Sequence, residues 1–238
     1  MTQDPIDTTR IPTTAPISRR SATFDLAVVL GFFVACVIGE PLIDPILRRG
    51  HGLAGVFALA SYQFALEGFA VLLILAFRRE HLSEYGFTRH NLCRSLALGL
   101  GLAAIYDLAS SWNRGALLWI PLGRHTGIRM SLAAGVPWSF IGIAITIAIW
   151  GFMEAFFGIF FARKLNLALG SSGRGWLSPG ALGFALFNGI IHLALGQGIE
   201  GFAFSFASGY AIAVIPAVTG NAWGGALVQT LTNAVGKL

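Results

Sequence analysis

The chain has 238 residues, of which 55% are hydrophobic and 11% are charged, with a formal net charge of +5 at pH 7. An average soluble domain has about 25% charged residues, so this composition excludes an ordinary soluble protein. Several apolar stretches approach the roughly 20 residues that an α-helix needs to cross a bilayer. Because they are continuously apolar rather than alternating, we predict an all-α fold, a multi-pass transmembrane helical bundle.

Residues 1–22 are rich in Thr, Pro and charge, and we predict a mobile tail outside the membrane. The rest of the chain, 23–238, is predicted to be a single transmembrane domain of about seven helices. The predicted membrane segments are 24–47, 52–77, 95–113, 133–165, 179–195, 201–219 and 221–236. A charged connector, 78–94, follows the second segment, and we expect it to hold a short interfacial helix. A loop rich in Gly, Ser and Pro, 170–180, follows the fourth.

The basic residues give a weak topology signal. Nearly all Arg and Lys residues flank apolar segments, which is typical of contacts with anionic lipid headgroups, so we predict lipid and not nucleic acid as a partner. With the N-terminus inside, ten basic residues fall in inside segments and six in outside segments. This bias favours an inside N-terminus and an outside C-terminus. We predict an integral protein of the plasma (inner) membrane.

Motifs for cofactors and metals are absent from the sequence. No GxxxxGK[ST] loop and no HExxH motif occurs, and Cys36 and Cys93 lack the spacing of a ligand pair. One deep histidine with one or two deep acids makes a thin ligand set. We therefore predict no cofactor, no metal and no structural disulfide.

A small set of polar residues lies inside the apolar segments. Glu154 is the single acid of the fourth segment, where a charged group costs roughly 2.5–3.5 kcal/mol on insertion scales and usually has a function. Asn188 and His192 are four residues apart on the fifth segment, and Gln229 and Asn233 are four apart on the last, so each pair shares a helix face. A carboxylate, an imidazole and amides could together activate water and stabilise an oxyanion. We predict that these residues face one cavity.

Other acids have a simpler interpretation. Asp25, Glu40, Asp44 and Glu200 lie near predicted helix ends, where we expect them to reach interfacial water. Glu67 is more central, with Gln63 one turn before it on the same face. Glu67 is either half of a buried hydrogen-bonding pair or part of a site, and we include it among the predicted cavity-lining residues.

Three short stretches of the second half resemble the motifs of the CAAX protease and bacteriocin-processing (CPBP) family of intramembrane endopeptidases, which includes the type II CAAX prenyl endopeptidases. That family has EExxxR on one helix, FxxxH on the next and HxxxN near the C-terminus. The corresponding stretches of this chain are MEAFFG (153–158), NGIIH (188–192) and QTLTN (229–233). Their order and spacing match, and the resemblance, which covers about residues 82–238, implies a CPBP-like helical core.

The chain departs from these motifs at four positions. His192 and Asn233 match the family, whereas the substituted positions are Met153 for the first acid, Gly158 for the Arg, Asn188 for the Phe and Gln229 for the third-motif His. The resemblance implies that the first acid and the second-motif His activate water, while the third motif supports the oxyanion. Met153 cannot accept a proton, whereas Gln229 can still donate a hydrogen bond. We predict catalytic-type positions at Glu154, His192 and Asn233, lined by the four substituted residues.

Three functional hypotheses remain open. The first is a CPBP-like membrane protein with a degenerate site that binds or scaffolds a membrane-protein or peptide partner. The second is an active intramembrane endopeptidase with a variant site built on Glu154 and His192. The third is a small proton-coupled transporter that uses Glu67 with these two residues as a relay; inverted repeats would support it, and none is evident in the sequence.

Overall fold

A computed structural model describes residues 18–49, 52–113 and 126–235. Within these ranges every regular element is a helix, and there is no β-strand. The helices are α1 (Arg19–Arg49), α2 (Gly52–Arg78), α3 (Leu92–Asn113), α4 (Thr126–Ala133), α5 (Trp138–Leu169), α6 (Pro179–His192), α7 (Gly198–Thr219) and α8 (Trp223–Gln229, continued by Thr230–Val235). Each of the seven predicted segments overlaps one of these helices, and α4 is an additional short one.

The predicted tail ends earlier than the sequence suggested. Helix α1 begins at Arg19, so residues 19–22 belong to the helix and not to the tail, while 1–17 lie outside the described residues. The reason is a local cap, because the Ser18 side chain accepts a hydrogen bond from the Ser21 amide over 3.1 Å. A serine at this position satisfies a backbone donor that the first helical turn leaves unpaired.

The predicted fourth segment, 133–165, is displaced along the chain. Helix α4 ends at Ala133, and Gly135, with φ +72°, turns the backbone before α5 starts at Trp138. Helix α5 then continues past two basic residues to Leu169 and ends at Gly170, which has φ +66°. Glycine adopts this left-handed conformation without steric cost, so it sets both boundaries.

Five helical stretches are long and apolar enough to cross a membrane: Arg19–Glu40, Gly52–Arg78, Leu92–Trp112, Trp138–Leu169 and Pro179–Thr219. The protein is therefore a helical membrane protein by length and composition. The last stretch combines α6 and α7, which fold back on each other at the left-handed Gly196 and Gly198. Their antiparallel pairing is visible where Asn188 Nδ2 donates to the Ser205 carbonyl oxygen over 2.8 Å.

The connector, the 170–178 loop and the turn between α7 and α8 meet at one end of the bundle. The Asn221 side chain donates to the carbonyl oxygens of Thr88 and His90, over 2.8 and 2.7 Å. The Gly175 amide donates to the Ala217 carbonyl oxygen over 3.0 Å. Nine cationic residues lie in these connections or on the helix ends next to them, and we call this set the basic end: Arg19, Arg20, Arg78, Arg79, Arg89, Arg94, Arg163, Lys164 and Arg174. They are the predicted inside residues other than Arg10, which lies outside the described residues.

A buried ionic network ties three helices together at the basic end. Lys164 on α5 is 0% exposed, and its Nζ lies 2.9 Å from Asp25 Oδ2 and 2.5 Å from Glu80 Oε1. Arg78 Nη2 lies 2.9 Å from the other oxygen of Asp25. The expectation that Asp25 reaches interfacial water is wrong, since this side chain is 1% exposed. Near the start of α1, Asp25 lies beside the buried Lys164 and the half-buried Arg78, and sequence spacing does not reveal these contacts.

Aromatic residues form the core around α5. Phe156 and Phe160 are fully buried, and phenylalanines from α1 and α6 pack against the same helix. The rings in contact at this junction are Phe33, Phe157, Phe161, Phe184 and Phe187. This packing fixes the rotation of α5 about its axis, and therefore the direction of the Glu154 side chain at the start of the same turn.

Glycines bring α8 against its neighbours. A Cβ built on Gly224 would lie 2.0 Å from the Ser95 carbonyl oxygen of α3, and one on Gly225 would lie 2.5 Å from the Ile212 carbonyl oxygen of α7. No side chain fits at either position, so backbone approaches backbone directly. This close packing holds the C-terminal half of α8 beside α5.

Candidate functional site

A cavity of about 250 Å³ lies between α3, α5, α6, α7 and α8. The five polar residues predicted to face one cavity all contribute to its lining: Glu154, Asn188, His192, Gln229 and Asn233. A second cavity, of about 220 Å³, shares these five residues and is bounded in addition by α1 and α2. The cluster therefore contributes to two spaces, one lined largely by polar residues and the other by polar and apolar residues in equal number.

Glu154 and Asn233 are joined directly. The Asn233 Nδ2 atom donates a hydrogen bond to Glu154 Oε2 over 2.5 Å, which links α8 to the middle of α5. A hydrogen bond to an ionised carboxylate is among the stronger kinds in proteins. The contact fixes the orientation of the carboxylate, and the amide has a second N–H that points away from this bond.

His192 is oriented by a residue that sequence analysis did not single out. Its Nδ1 atom lies 2.9 Å from Gln197 Oε1, five residues further along the chain. With a carbonyl oxygen at this distance, Nδ1 carries the proton and Nε2 is the accepting nitrogen. The imidazole is thus held in the tautomer that can act as a base through Nε2.

The two remaining amides of the cluster have different surroundings. Asn188 donates to the Ser205 carbonyl oxygen, so its amide joins α6 to α7. Gln229 is 3% exposed, and it lines both cavities. Asn188 therefore supports the wall of the site, while Gln229 presents a buried amide to it.

Three π-helical turns lie within helices of the described chain: Phe64–Phe69, Ile147–Met153 and Thr230–Val235. They contain or adjoin Glu67, Glu154 and Asn233. A π turn adds a residue to a helical turn and is frequent at functional sites. His192 lies instead at the end of α6, and the chain reversal at the left-handed Gly196 brings Gln197 back to its side chain.

Met153 and Gly158 differ from their predicted position, since neither lines these two cavities. Met153 points to α2, where a Cβ built on Gly68 would lie 2.8 Å from its Cε. Gly158 faces α6, where its own Cβ would lie 2.3 Å from Phe184 Cε1. The residue of this helix that faces His192 and Asn233 is Glu154. Rotation of α5, set by the aromatic core and the preceding π turn, decides this.

Glu67 lines the second cavity but not the first. Gln63 lines the same second cavity, in keeping with their one-turn spacing on α2, and Glu154 is the acid common to both cavities. Glu67 thus lies on the α2 side of the polar cluster, across the second cavity from α6.

The lining of the first cavity includes residues that sequence analysis missed. Ser110 on α3 is 0% exposed, and its Oγ finds no hydrogen-bond partner within the described part of the chain. Ser205 and Ser208 contribute from α7, and so does Glu200, which was expected to reach interfacial water and not to line the site. The three-residue spacing of the two serines was a usable signal, because residues three apart share a helix face. Ser110 offered no such signal.

Within residues 18–49, 52–113 and 126–235 no three His, Cys, Asp or Glu side chains come together as metal ligands do. The chemistry available at the polar cluster is that of one carboxylate, one imidazole and several amide and hydroxyl groups. These groups are suited to proton transfer and to hydrogen bonding of a polarised carbonyl.

In comparisons with known proteins, no family model, no curated protein and no solved structure matches this chain.

Proposed function

We propose that this chain is an intramembrane endopeptidase with a variant glutamate–histidine site, similar to the sites of the CPBP family and acting in the plasma (inner) membrane. One observation carries the proposal: Glu154, His192, Gln229 and Asn233, from three separate helices, line one cavity of about 250 Å³. Assembly of a carboxylate, an imidazole and two amides in a membrane interior is costly. A hydrolytic site gives each of these groups a use.

In the proposed reaction, Glu154 accepts a proton from a water molecule whose oxygen attacks the peptide carbonyl carbon. The oxyanion that forms accepts hydrogen bonds from the amide of Gln229 and from the second N–H of Asn233. His192 Nε2 takes over the proton that Glu154 removed from the water and delivers it to the leaving nitrogen as the C–N bond breaks, which returns both side chains to their starting protonation. Gln197 keeps the imidazole oriented throughout.

The position of Glu154 is what favours this reading over a degenerate site. The motif resemblance places Met153 at the position of the family's first acid, and a methionine cannot accept a proton. In the fold, Met153 points to α2, and Glu154 lies in the cavity beside Asn233. The carboxylate needed as a base is therefore supplied one residue later.

A binding or scaffold role is the second candidate, and the surroundings of Gly158 favour it. The family motif has an arginine at this position, whereas here Phe184 packs directly on the glycine. A protein without this arginine, and with Gln229 in place of an imidazole, could retain a helix-binding cavity and lose turnover. Its partner would be a membrane protein or a membrane peptide.

The test is cleavage of helical membrane peptides by the purified full-length protein, with binding measured in parallel by crosslinking. Glu154→Gln should lower the cleavage rate by about 10²–10⁴-fold, since a positioned base typically contributes this much. The Asn233 amide can still donate to the new side-chain oxygen, so folding should be retained. Asp107→Asn is the matched control, because Asp107 is an acid of α3 that lines neither cavity.

Cleavage that survives Glu154→Gln would overturn the proposed mechanism. Peptide binding without any product, equal in the parent protein and in both variants, would favour the scaffold role.

A further inference from the structure

A third cavity, of about 630 Å³, lies at the basic end and is larger than either cavity at the candidate site. It is bounded by the connector, the 170–178 loop and the C-terminal parts of α5 and α7. None of its lining residues belongs to the polar cluster around Glu154. It is a separate space at the opposite end of the helices from His192.

The rim of this cavity is cationic. Arg163 and Arg174 line it, and Glu84 is the only acid among the described lining residues. Glu84 lies 3.6 Å from Arg163 Nη2 and therefore offsets that charge. Arg174 is exposed and has no carboxylate within ion-pairing distance in the described chain. The Arg163 Nε atom is buried and has no hydrogen-bond partner among the described residues.

Two serines complete the polar rim. Ser171 Oγ accepts a hydrogen bond from the Gly173 amide over 3.2 Å, and Ser172 Oγ accepts one from the Arg174 amide over 3.4 Å. Each hydroxyl uses an acceptor lone pair in this way, so its O–H remains a donor. The loop thus holds two hydroxyl donors beside the Arg174 guanidinium.

The floor of the cavity is apolar and extends below the rim. Ile159 lies one helical turn before Arg163, about 6 Å deeper along α5. Ala162 and Ala213 also contribute to the lining, from α5 and α7. A cationic rim above an apolar floor matches an amphiphile whose anionic group lies at the membrane surface. A free inorganic anion would leave the floor unused.

The basic end as a whole also has a positive net charge. Among the described residues, the nine cationic side chains of the basic end are accompanied at that end by three carboxylates, namely Asp25, Glu80 and Glu84. We propose that this cavity binds the phosphate headgroup of an anionic phospholipid, with Arg174 and the 171–172 hydroxyls on the phosphate and the glycerol region on the apolar floor. Basic pockets between membrane helices commonly bind such headgroups.

The experiment measures lipid binding to the full-length protein in uncharged detergent by the shift in its thermal unfolding, followed by tryptophan fluorescence. Dioleoyl phosphatidylglycerol is the probe, dioleoyl phosphatidylcholine tests the need for net charge, and inorganic phosphate tests a free anion. Phosphatidylglycerol should raise the unfolding temperature in a saturable manner. The other two should not do so at equal ionic strength.

Arg174→Ala should weaken phosphatidylglycerol binding about fivefold, as expected for one arginine at a membrane surface. Arg89→Ala is the matched control, since Arg89 is an exposed arginine of the same end that does not line the cavity, and it should change binding less than twofold. Ser172→Glu places a carboxylate at the rim and should abolish the saturable shift.

Three results would overturn the proposal. Equal weakening by Arg174→Ala and Arg89→Ala would indicate diffuse attraction and no defined site. An equal shift with phosphatidylcholine, or with phosphate alone, would exclude an anionic headgroup as the ligand. Unchanged binding in Ser172→Glu would place the lipid elsewhere.

Discussion

The side-chain amide of Asn233 donates a hydrogen bond to Glu154 Oε2 over 2.5 Å, and this contact joins the last helix of the chain to the centre of α5. The two residues are separated by 79 positions in sequence. Their meeting point lies where both cavities of the candidate site adjoin. Stability and proposed chemistry therefore share one contact, which makes it the most informative place to perturb.

Asn233→Asp should destabilise the protein more than Asn233→Ala. The alanine loses a hydrogen bond to a charged group, worth about 1.5–3 kcal/mol. The aspartate in addition sets a second carboxylate against Glu154, and like charges this close oppose each other. Equilibrium unfolding in mixed micelles measures the difference. Thr232→Val, which alters a buried residue of the same turn that bonds only its own helix, is the control. Equal stability of the two Asn233 variants would show that Glu154 is not charged there.

Lys164→Met should cost about 3–5 kcal/mol, as is typical when one partner of a buried ion pair is removed. The change removes the cation that the carboxylates of Asp25 and Glu80 both contact. Lys164 is 0% exposed, so water cannot replace it easily there. Unfolding monitored by tryptophan fluorescence gives the loss. Arg89→Met, an exposed cation at the same end, should have little effect.

The triple change Lys164→Met, Asp25→Asn and Glu80→Gln provides a check on the cause. It removes the two carboxylates that the first variant leaves uncompensated, so it should recover part of the lost stability. No recovery would mean that the lysine stabilises the fold through its ammonium group over the Phe160 ring, 5.3 Å from the ring centre, rather than through the two carboxylates.

Tyr85→Phe should change how stability depends on alkaline pH. Burial of Tyr85, together with its hydrogen bond to Glu80 and the charge of that carboxylate, raises the pKa of the phenol above its usual value of about 10. The folded state thus holds the neutral phenol, and the stability it contributes is present below the unfolded pKa and is lost as pH rises above about 10. The phenylalanine variant should be less stable at pH 8, and the gap should narrow above pH 10. A constant gap up to pH 11 would contradict the shift.

Gly158→Ala should destabilise the protein by about 1–3 kcal/mol, the usual cost of overpacking a core. Its Cβ would lie 2.3 Å from the Phe184 ring, and this ring is held by Phe157, Phe161 and Phe187. Gly31→Ala on α1 is the matched control, because nothing lies within 4 Å of the new Cβ there. That control should be neutral or stabilising by about 0.5–1 kcal/mol.

Combining Gly158→Ala with Phe184→Leu should restore part of the stability, since the smaller side chain leaves room for the methyl group. Failure of the second change to relieve the first would show that another contact resists the Cβ. The same geometry means that an arginine at position 158, as in the CPBP motif, would not fit without displacing this ring.

The helical class and the approximate helix positions follow from the sequence because they depend on local properties. A continuous apolar stretch of membrane length must satisfy its own backbone, and the helix is the solution available within one segment. Glu154, His192 and Asn233 were identifiable for a similar reason, since polar groups in such stretches are few and costly. The boundaries that sequence missed, at Arg19 and around Gly135, depend on a single cap and a single left-handed glycine.

The direction of each side chain was decided by tertiary structure. A difference of one position, Met153 or Glu154, determines whether a carboxylate faces the cavity of His192, and this choice depends on the rotation of α5 imposed by the aromatic core and by a π turn. Fixed four-residue periodicity cannot anticipate a π turn, because the extra residue rotates everything after it. Gln197 meets His192 because the chain reverses at Gly196, which fixed periodicity does not reveal either. Asp25 meets Lys164 only because distant helices pack, and no local pattern encodes the distance between them.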